Sequence, residues 1–218
     1  MIRLLIADDH AIVRHGMRQI VSGTADIVVS GEAENGNQVL HLLRADEFDV
    51  LLLDISMPER NGMELLTQIR REFPKLGVIM LSMHAEDEFG MRALKAGASA
   101  YVSKQTAATE LVNAIRLVAS GRKYVSPALA EQLANRLSSD SVEPLHHLLS
   151  SREYQTLCLI ASGKSLSQVA LELSLSPKTV SVYRARLLEK LKLKNNAELT
   201  HYAIRNRLVS WDAAPTSR

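Results

Sequence analysis

The stretch LLLDISMPERNG, residues 51–62, ends an apolar run on a single carboxylate, Asp54. The leucines before it are typical of a strand that is buried on both faces. A carboxylate at the end of such a strand costs desolvation free energy unless it reaches water, a partner or a metal ion. Because strand-end aspartates often cap the following turn, this stretch alone leaves a capping role and a functional role equally open.

Four further apolar runs share the short, unbroken character of residues 50–54, and they lie at residues 3–7, 27–30, 78–82 and 100–103. Amphipathic helical patterns separate these runs and follow the last one. Five strand and helix pairs in strict alternation predict a doubly wound (βα)5 parallel sheet, an α/β fold with helices on both faces. In such sheets ligands bind just beyond the carboxyl ends of the strands.

Polar side chains occupy the carboxyl ends of most predicted strands. These residues are Asp8 and Asp9 after the first strand, Asp54 in the third, Ser82 in the fourth and Lys104 after the fifth. Three carboxylates in one crevice repel each other unless a hard cation such as Mg²⁺ neutralises them. Together with a hydroxyl and an ammonium group they suit a phosphoryl group, which one carboxylate attacks. The chain has no Gly-rich phosphate loop, so a nucleotide substrate is not expected.

Four motifs resemble, in their order and spacing, the signature of a response-regulator receiver domain. They are ADDH (7–10), LLLDISMPERNG (51–62), IMLSMH (79–84) and AYVSK (100–104). The resemblance covers residues 1–121 and implies that Asp54 is the phosphoacceptor. It also implies that Mg²⁺ is the cofactor and that its ligands are Asp8, Asp9, Asp54 and the carbonyl of Ser56.

The other positions of the receiver site follow from the same resemblance. Lys104 would pair with the phosphoryl group, and Ser82 and Tyr101 would be the hydroxyl and aromatic switch residues. Gln105 stands where many receivers have proline after the lysine, which leaves the role of Lys104 unaffected. His10 is interpreted as a polar loop residue, because the seven histidines lack metal-ligand spacing.

Residues 122–149 are predicted to connect two domains. Ser126-Pro127 is a helix start signal, and Leu129, Leu133 and Leu137 mark one face of the helix that follows. The sequence SSDSVEPLHHL, residues 138–148, is rich in serine and contains a proline, so it is interpreted as an interdomain linker.

The charge of the chain is divided unevenly. Residues 150–208 carry ten Lys and Arg against four Asp and Glu, whereas the whole chain carries 26 against 24. The C-terminal part is therefore basic and the remainder is acidic, which suits a polyanion-binding module attached to an acidic one. A charge bias alone is also typical of a solvated surface.

Helical patterns dominate the basic part, at residues 151–163, 167–173, 177–191 and 197–206, and they predict an all-α domain of four helices. The third pattern begins with an N-cap serine and a proline at the first turn, Ser176-Pro177. A short helix, a brief turn and a helix with a basic exposed face are the parts of a helix-turn-helix, whose second helix enters the major groove of DNA.

Residues 149–209 closely resemble the LuxR-type helix-turn-helix, and with the receiver this resemblance identifies the chain as a member of the NarL/FixJ class of response regulators. By position in that motif, the base contacts would be Ser181, Val182 and Ala185, and the backbone contacts Lys178, Thr179, Arg184 and Arg186. DNA-bound dimers of the family meet at the final helix, which implies dimer contacts at Asn196, Leu199 and Ala203. Gln168 and Tyr183 depart from the Glu and His that are common in the motif.

The remaining composition indicates the cytoplasm. The single cysteine, Cys158, excludes an intramolecular disulfide framework and lies in an apolar context typical of a core residue. The N-terminal apolar run meets charge too early for a signal peptide, and no apolar stretch approaches the roughly 20 residues that span a bilayer. We expect a soluble cytoplasmic protein without a membrane partner.

The resemblance implies a two-component response regulator rather than an enzyme. A sensor histidine kinase or a small acyl phosphate would phosphorylate Asp54 and so control homodimerisation and sequence-specific binding to double-stranded DNA, with a contact to RNA polymerase left open. The expected division is a receiver at residues 1–121, a connecting helix and linker at 122–149, a DNA-binding domain at 150–209 and a tail at 210–218. Two other classes stay open: a metal-dependent phosphohydrolase on the same scaffold, and a protein-interaction module whose basic half binds acidic proteins.

Overall fold

The computed structural model describes residues 1–57, 62–82, 86–137, 144–206 and 208–209 of the 218-residue chain. Contacts divide the chain into two compact units, Met1–Asp140 and Ser141–Arg218. Each unit is described by itself.

The N-terminal unit alternates strands and helices as the sequence predicts. Its elements are β1 (Ile2–Ala7), α1 (Ala11–Ser22), β2 (Ile27–Ala33), α2 (Gly36–Ala45), β3 (Val50–Asp54), α3 (Gly62–Glu72), β4 (Gly77–Ser82), α4 (Glu86–Lys95), β5 (Ala100–Ser103), α5 (Ala107–Ala119) and α6 (Pro127–Leu137). The strands form one sheet in the order β2-β1-β3-β4-β5, and every neighbouring pair is parallel. The predicted doubly wound α/β fold is therefore confirmed.

Strand β3 lies at the centre of this sheet and is buried along its whole length. Its leucines remove apolar surface from water on both faces of the sheet, and each fully buried leucine stabilises the fold by about 2 kcal/mol. Leu53 pairs with Ala7 of β1, and Asp54 pairs with Leu81 of β4. The carboxyl ends of these three neighbouring strands consequently meet at one edge of the sheet.

Strand β2 extends three residues beyond the predicted segment 27–30. Its added residues pair with β1 after a register irregularity, which lies between Leu4 and Leu5. Gly31 belongs to this extension, and a Cβ there would lie 3.1 Å from both Leu5 and the Phe48 ring. Strand β2 therefore continues because its backbone pairs with β1 and side chains pack closely on Gly31. The hydrophobicity of the sequence does not predict a strand at these positions.

The C-terminal unit is helical. A 3-10 turn (Leu145–Leu148) precedes α7 (Ser151–Ala161), α8 (Leu166–Glu172), α9 (Pro177–Leu191) and α10 (Asn196–Arg205). Ser150 and Ser165 begin α7 and α8 with reciprocal capping boxes, and Ser176 caps α9. Such caps each stabilise a helix by about 1 kcal/mol. The predicted domain of four α-helices is confirmed over the described residues, none of whose helices is long and apolar enough to cross a membrane.

The predicted linker 138–148 is wrong at its C-terminal end. His146, in the 3-10 turn, is only 3% exposed, and its Nδ1 lies 3.0 Å from the hydroxyl of Tyr202 in α10. The backbone N–H of His146 also donates to that hydroxyl. His146 therefore packs into the core of the C-terminal unit through its aromatic contacts, whereas Leu145 and Leu148 of the same turn are exposed. Residues 138–143 lie outside the described residues.

Candidate functional site

The carboxyl edge of the sheet brings together an ammonium group and two buried carboxylates. Asp8 directly follows β1 and is fully buried, and Asp54 ends β3 with 1% exposure. Lys104 Nζ lies 2.7 Å from Asp8 Oδ2 and 3.1 Å from Asp54 Oδ1. The strand order thus produces the cluster that the strand-end residues predict.

The same edge offers ligand atoms for a metal ion. One ligand atom from each of Asp8, Asp9, His10 and Asp54 lies within 4.8 Å of all the others. Asp54 Oδ2 is buried and accepts no hydrogen bond from the described residues. Three carboxylates face a single ammonium group here, so a hard divalent cation fits both the charge and the oxygen ligands.

The sequence predicts a polar loop residue at His10, and the structure places its side chain beside the acidic group. Its backbone N–H donates to Asp8 Oδ1 over 2.9 Å, and its Nδ1 lies 2.8 Å from Asp9 Oδ1. The side chain is 62% exposed. In the sequence, His10 directly follows Asp8 and Asp9, whereas the other histidines are scattered. This adjacency is the signal that could have predicted the contact of His10 with the acids.

Burial and charge act in opposite directions on the titration of the cluster. The pKa of Asp54 is raised to about 6, mainly by burial; Lys104 opposes this rise and the neighbouring carboxylate of Asp8 adds to it. A backbone hydrogen bond from Ser56 also favours the ionised form. Burial alone would lower the pKa of Lys104, but the carboxylates of Asp54 and Asp8 outweigh it and raise that pKa. Lys104 is therefore a permanent cation beside a carboxylate that is poised near neutrality.

The two predicted switch residues lie on β4, which is next to the strand of Asp54, and on β5, which is the next strand beyond it. Ser82 ends β4 with 1% exposure, and its carbonyl accepts a hydrogen bond from the Lys104 backbone over 2.8 Å. Tyr101, in β5, is fully buried. A Cβ at Gly90 of α4 would lie 3.6 Å from the Tyr101 ring and 3.0 Å from Leu129 of α6. The aromatic ring therefore lies close to both α4 and α6.

Gly62 fixes the backbone that carries Asp54. Its N–H donates to the carbonyl of Ile55 over 3.0 Å, so the start of α3 is held against the end of β3. A Cβ at residue 62 would lie 2.2 Å from the Asp54 carbonyl oxygen and 2.9 Å from Ile55 Cα. Both are backbone atoms that cannot rotate away. Pro58 and the rest of residues 58–61 lie outside the described residues.

We expect Gly62→Ala to slow phosphorylation of Asp54 by at least about tenfold, because the added methyl displaces the aspartate backbone and small misplacements of reacting groups are costly. The rate is measured with acetyl phosphate and Mg²⁺. Gly16→Ala is the matched control, since a Cβ there meets nothing within 4 Å. Equal rates for the two variants would show that this close approach does not position Asp54.

Helix α9 presents a polar and basic surface. Its buried side is formed by Val180, Leu187, Leu188 and Leu191. The predicted DNA contacts are exposed at Lys178, Ser181, Val182, Ala185 and Arg186, and partly buried at Thr179 and Arg184. Arg184 Nε donates to Asn196 Oδ1 over 2.5 Å, which ties α9 to the start of α10. The helix therefore has a packed face and an open face of the composition that DNA binding requires.

Two of the three predicted dimer residues cannot contact a second copy. Leu199 and Ala203 are fully buried in the core of their own unit. Helix α10 packs on α7, and its apolar spacing places both residues on that side. For these two residues the prediction is wrong, whereas Asn196 is exposed at the start of the helix.

Two family models match the chain, one in each unit. The model described as response regulator receiver domain matches residues 4–116. The model described as bacterial regulatory proteins, luxR family, matches residues 147–203. Together they cover the candidate phosphoryl site and helix α9.

Curated relatives and solved structures have the same organisation over nearly the whole chain. Response regulator UvrY of Escherichia coli (strain K12) is 39% identical over 211 residues, which cover 96% of this chain and 97% of UvrY. Response regulator GacA of Pseudomonas aeruginosa is 37% identical over 219 residues, covering 98% of this chain and 100% of GacA. Among solved structures, the chain is similar to RcsB from Salmonella enterica serovar Typhimurium bound to promoter rprA in the presence of phosphomimetic BeF3⁻. The TM-score is 0.62 and the sequence identity 29%, and the match covers 93% of this chain and 98% of the RcsB chain.

Proposed function

The chain is a response regulator of the NarL/FixJ class that regulates transcription, and from that premise we propose that phosphorylation of Asp54 controls its dimerisation and DNA binding. The observation that carries this proposal is the buried cluster in which Lys104 Nζ lies 2.7 Å from Asp8 and 3.1 Å from Asp54. The donor is a sensor histidine kinase or a small acyl phosphate. The protein acts in the cytoplasm, without a membrane partner, and a contact with RNA polymerase would follow DNA binding.

The chemistry uses Asp54 as the nucleophile. An ionised oxygen of Asp54 attacks phosphorus, the bond from phosphorus to the leaving group of the donor breaks, and an acyl phosphate forms. Lys104 exchanges its contact with Asp54 for one with a phosphoryl oxygen, where it stabilises negative charge. Mg²⁺, when bound by Asp8, Asp9, Asp54 and the carbonyl of Ser56, supplies further charge neutralisation.

The signal leaves the site through the two switch residues. Ser82 turns towards the phosphoryl group and Tyr101 reorients within β5, which changes the surface formed by α4 and β5. We assign residues 1–121 to the receiver, 122–144 to the connecting helix and linker, 145–209 to the DNA-binding domain, which includes the 3-10 turn around His146, and 210–218 to the tail. The acyl phosphate acts by changing the conformation of the chain itself, so the chain is a regulator rather than an enzyme.

DNA binding uses helix α9. Ser181, Val182 and Ala185 face base edges in the major groove, and the hydroxyl and cationic residues Lys178, Thr179, Arg184 and Arg186 contact the phosphate backbone. Two copies meet through the exposed side of α10, where Asn196, His201 and Arg205 lie. A dimer of this kind binds two half-sites about one helical turn apart.

The test compares the full chain with and without a phosphoryl donor and Mg²⁺. Acetyl phosphate or beryllofluoride should increase both the mass measured by light scattering and the affinity for DNA fragments that the protein selects from its genome. Unchanged mass and affinity would contradict the proposal. Repeated turnover of a generic phosphate ester would instead favour a phosphohydrolase, and binding to acidic proteins but not DNA would favour an interaction module.

A further inference from the structure

Arg14 of α1 is a nearly buried cation whose guanidinium group joins three parts of the chain. The residue is 8% exposed. Its Nη1 donates to the backbone carbonyl of Asp8 over 2.8 Å, its Nε to Glu32 Oε2 over 3.2 Å, and its Nη2 to Glu34 Oε1 over 2.6 Å. The planar fork of an arginine suits such simultaneous contacts, which a lysine cannot make.

The contact with Asp8 acts on the backbone and not on the carboxylate. The Asp8 carbonyl belongs to the peptide plane that joins Asp8 to Asp9, so holding this oxygen orients the Cα atoms of both acids. The carboxylate of Asp8 is held separately, by the backbone N–H of His10 at Oδ1 and by Lys104 at Oδ2. Arg14 therefore holds the peptide between the two acids directly, through the Asp8 carbonyl.

The charge of Arg14 is balanced locally. Glu32 contacts both Arg14 and Arg18, whose Nη1 lies 2.9 Å from Glu32 Oε1, and Glu34 contacts Arg14. Two cations of α1 thus face two carboxylates, Glu32 near the end of β2 and Glu34 just after it. The long-range field of Arg14 at the acidic cluster is consequently weak, and its influence there is positional.

We propose that Arg14 is a positioning residue for the metal and phosphoryl site, where it holds the Asp8–Asp9 peptide so that both carboxylates point towards Asp54. This inference rests on the proposed function, in which the cluster binds Mg²⁺. Residues that orient metal ligands without touching the metal raise metal affinity, and their loss typically weakens it by about 10-fold to 100-fold. The extension of β2 matters for the same reason, because it supplies Glu32.

The experiment measures Mg²⁺ binding to the full chain by isothermal titration calorimetry. Arg14→Met should weaken the Kd by about tenfold or more, and Arg14→Lys by a smaller factor, because lysine keeps the charge and at most one contact. The phosphorylation rate from acetyl phosphate should recover to within about threefold of wild type at saturating Mg²⁺, since the bound ion then orients the acids. Arg18→Met is the matched control: it removes a neighbouring cation that shares Glu32 but makes no contact with Asp8, and its Kd should stay at the wild-type value.

A purely structural role predicts a different pattern. Arg14→Met would then lower the melting temperature of the metal-free protein while the Kd for Mg²⁺ stays unchanged, and that outcome overturns the inference. If Arg14→Met does not fold, Arg14→Lys decides, and a Kd equal to that of Arg18→Met is equally contradictory. Absence of Mg²⁺ binding by the wild-type chain would instead refute the proposed function itself.

Discussion

Asp54→Asn should abolish formation of the acyl phosphate, because an amide oxygen has neither the charge nor the nucleophilicity of the carboxylate that attacks phosphorus. We expect no detectable incorporation from acetyl phosphate, where the wild-type chain takes up one acid-stable, base-labile group. The increases in mass and DNA affinity should disappear with it. Intact-protein mass spectrometry and fluorescence anisotropy measure the two effects on the same samples.

Asp26→Asn provides the control for this substitution. Asp26 is a partly exposed acid that pairs with Arg116, and it precedes β2 at the opposite end of the strands from Asp54. Its replacement removes the same charge and should leave phosphorylation at the wild-type level. Full incorporation by Asp54→Asn would mean that another carboxylate is the phosphoacceptor.

The Asp54→Asn variant should also be more stable than the wild-type chain in the metal-free state. The pKa of Asp54 is raised to about 6, above the ordinary value, so the stabilising contribution of this group is complete at low pH and is lost as the pH rises through 6. Asp54→Asn removes the buried charge and should raise the free energy of unfolding by up to about 3 kcal/mol at about pH 7.5, and by less at about pH 5. Denaturation in EDTA, followed by circular dichroism, measures the difference. A stability gain that is equal at both pH values would contradict this origin.

Lys178→Ala combined with Arg184→Ala should weaken DNA binding by at least about tenfold, because each lost phosphate contact also loses its counterion release. The slope of log affinity against log salt concentration should become shallower by about 2. Ser181→Ala should instead reduce the preference for specific over random DNA, with little change in the salt slope. Anisotropy titrations over a series of salt concentrations separate these effects.

Arg122→Ala combined with Lys123→Ala is the control for charge. Both side chains are exposed and lie in the N-terminal unit, so this pair lowers the net charge equally without altering α9. Its salt slope should match that of the wild-type chain. Identical slopes for the two double variants would argue that α9 does not contact the phosphate backbone.

Most of the fold follows from local sequence, because buried parallel strands are unbroken apolar runs. Residues 50–54 are read correctly as a strand, and Asp54 lies at its carboxyl end. The helix starts are equally local, since Ser176-Pro177 caps its own helix without tertiary help. Strand β2 was predicted too short because its last residues pair through their backbone, which hydrophobicity does not report.

The functional surfaces were harder to assign, because periodicity marks an apolar face without saying what covers it. Leu199 and Ala203 were expected in a dimer contact, yet α7 of the same unit covers them. No sequence signal marks Arg14, since an arginine in an amphipathic helix is normally a solvated residue. Its partners Asp8, Glu32 and Glu34 come from two other parts of the chain and meet it through the pairing of β1 with β2.

The sequence by itself determined the strands, the helix caps and the kinds of residue that stand at the strand ends, because each depends on neighbours within a few positions. Only the tertiary structure decided that Lys104 lies about 3 Å from both Asp8 and Asp54, and that burial raises the pKa of Asp54 to about 6. The strand order brings separate segments into contact, and the removal of water from between them sets the charge and reactivity of the site.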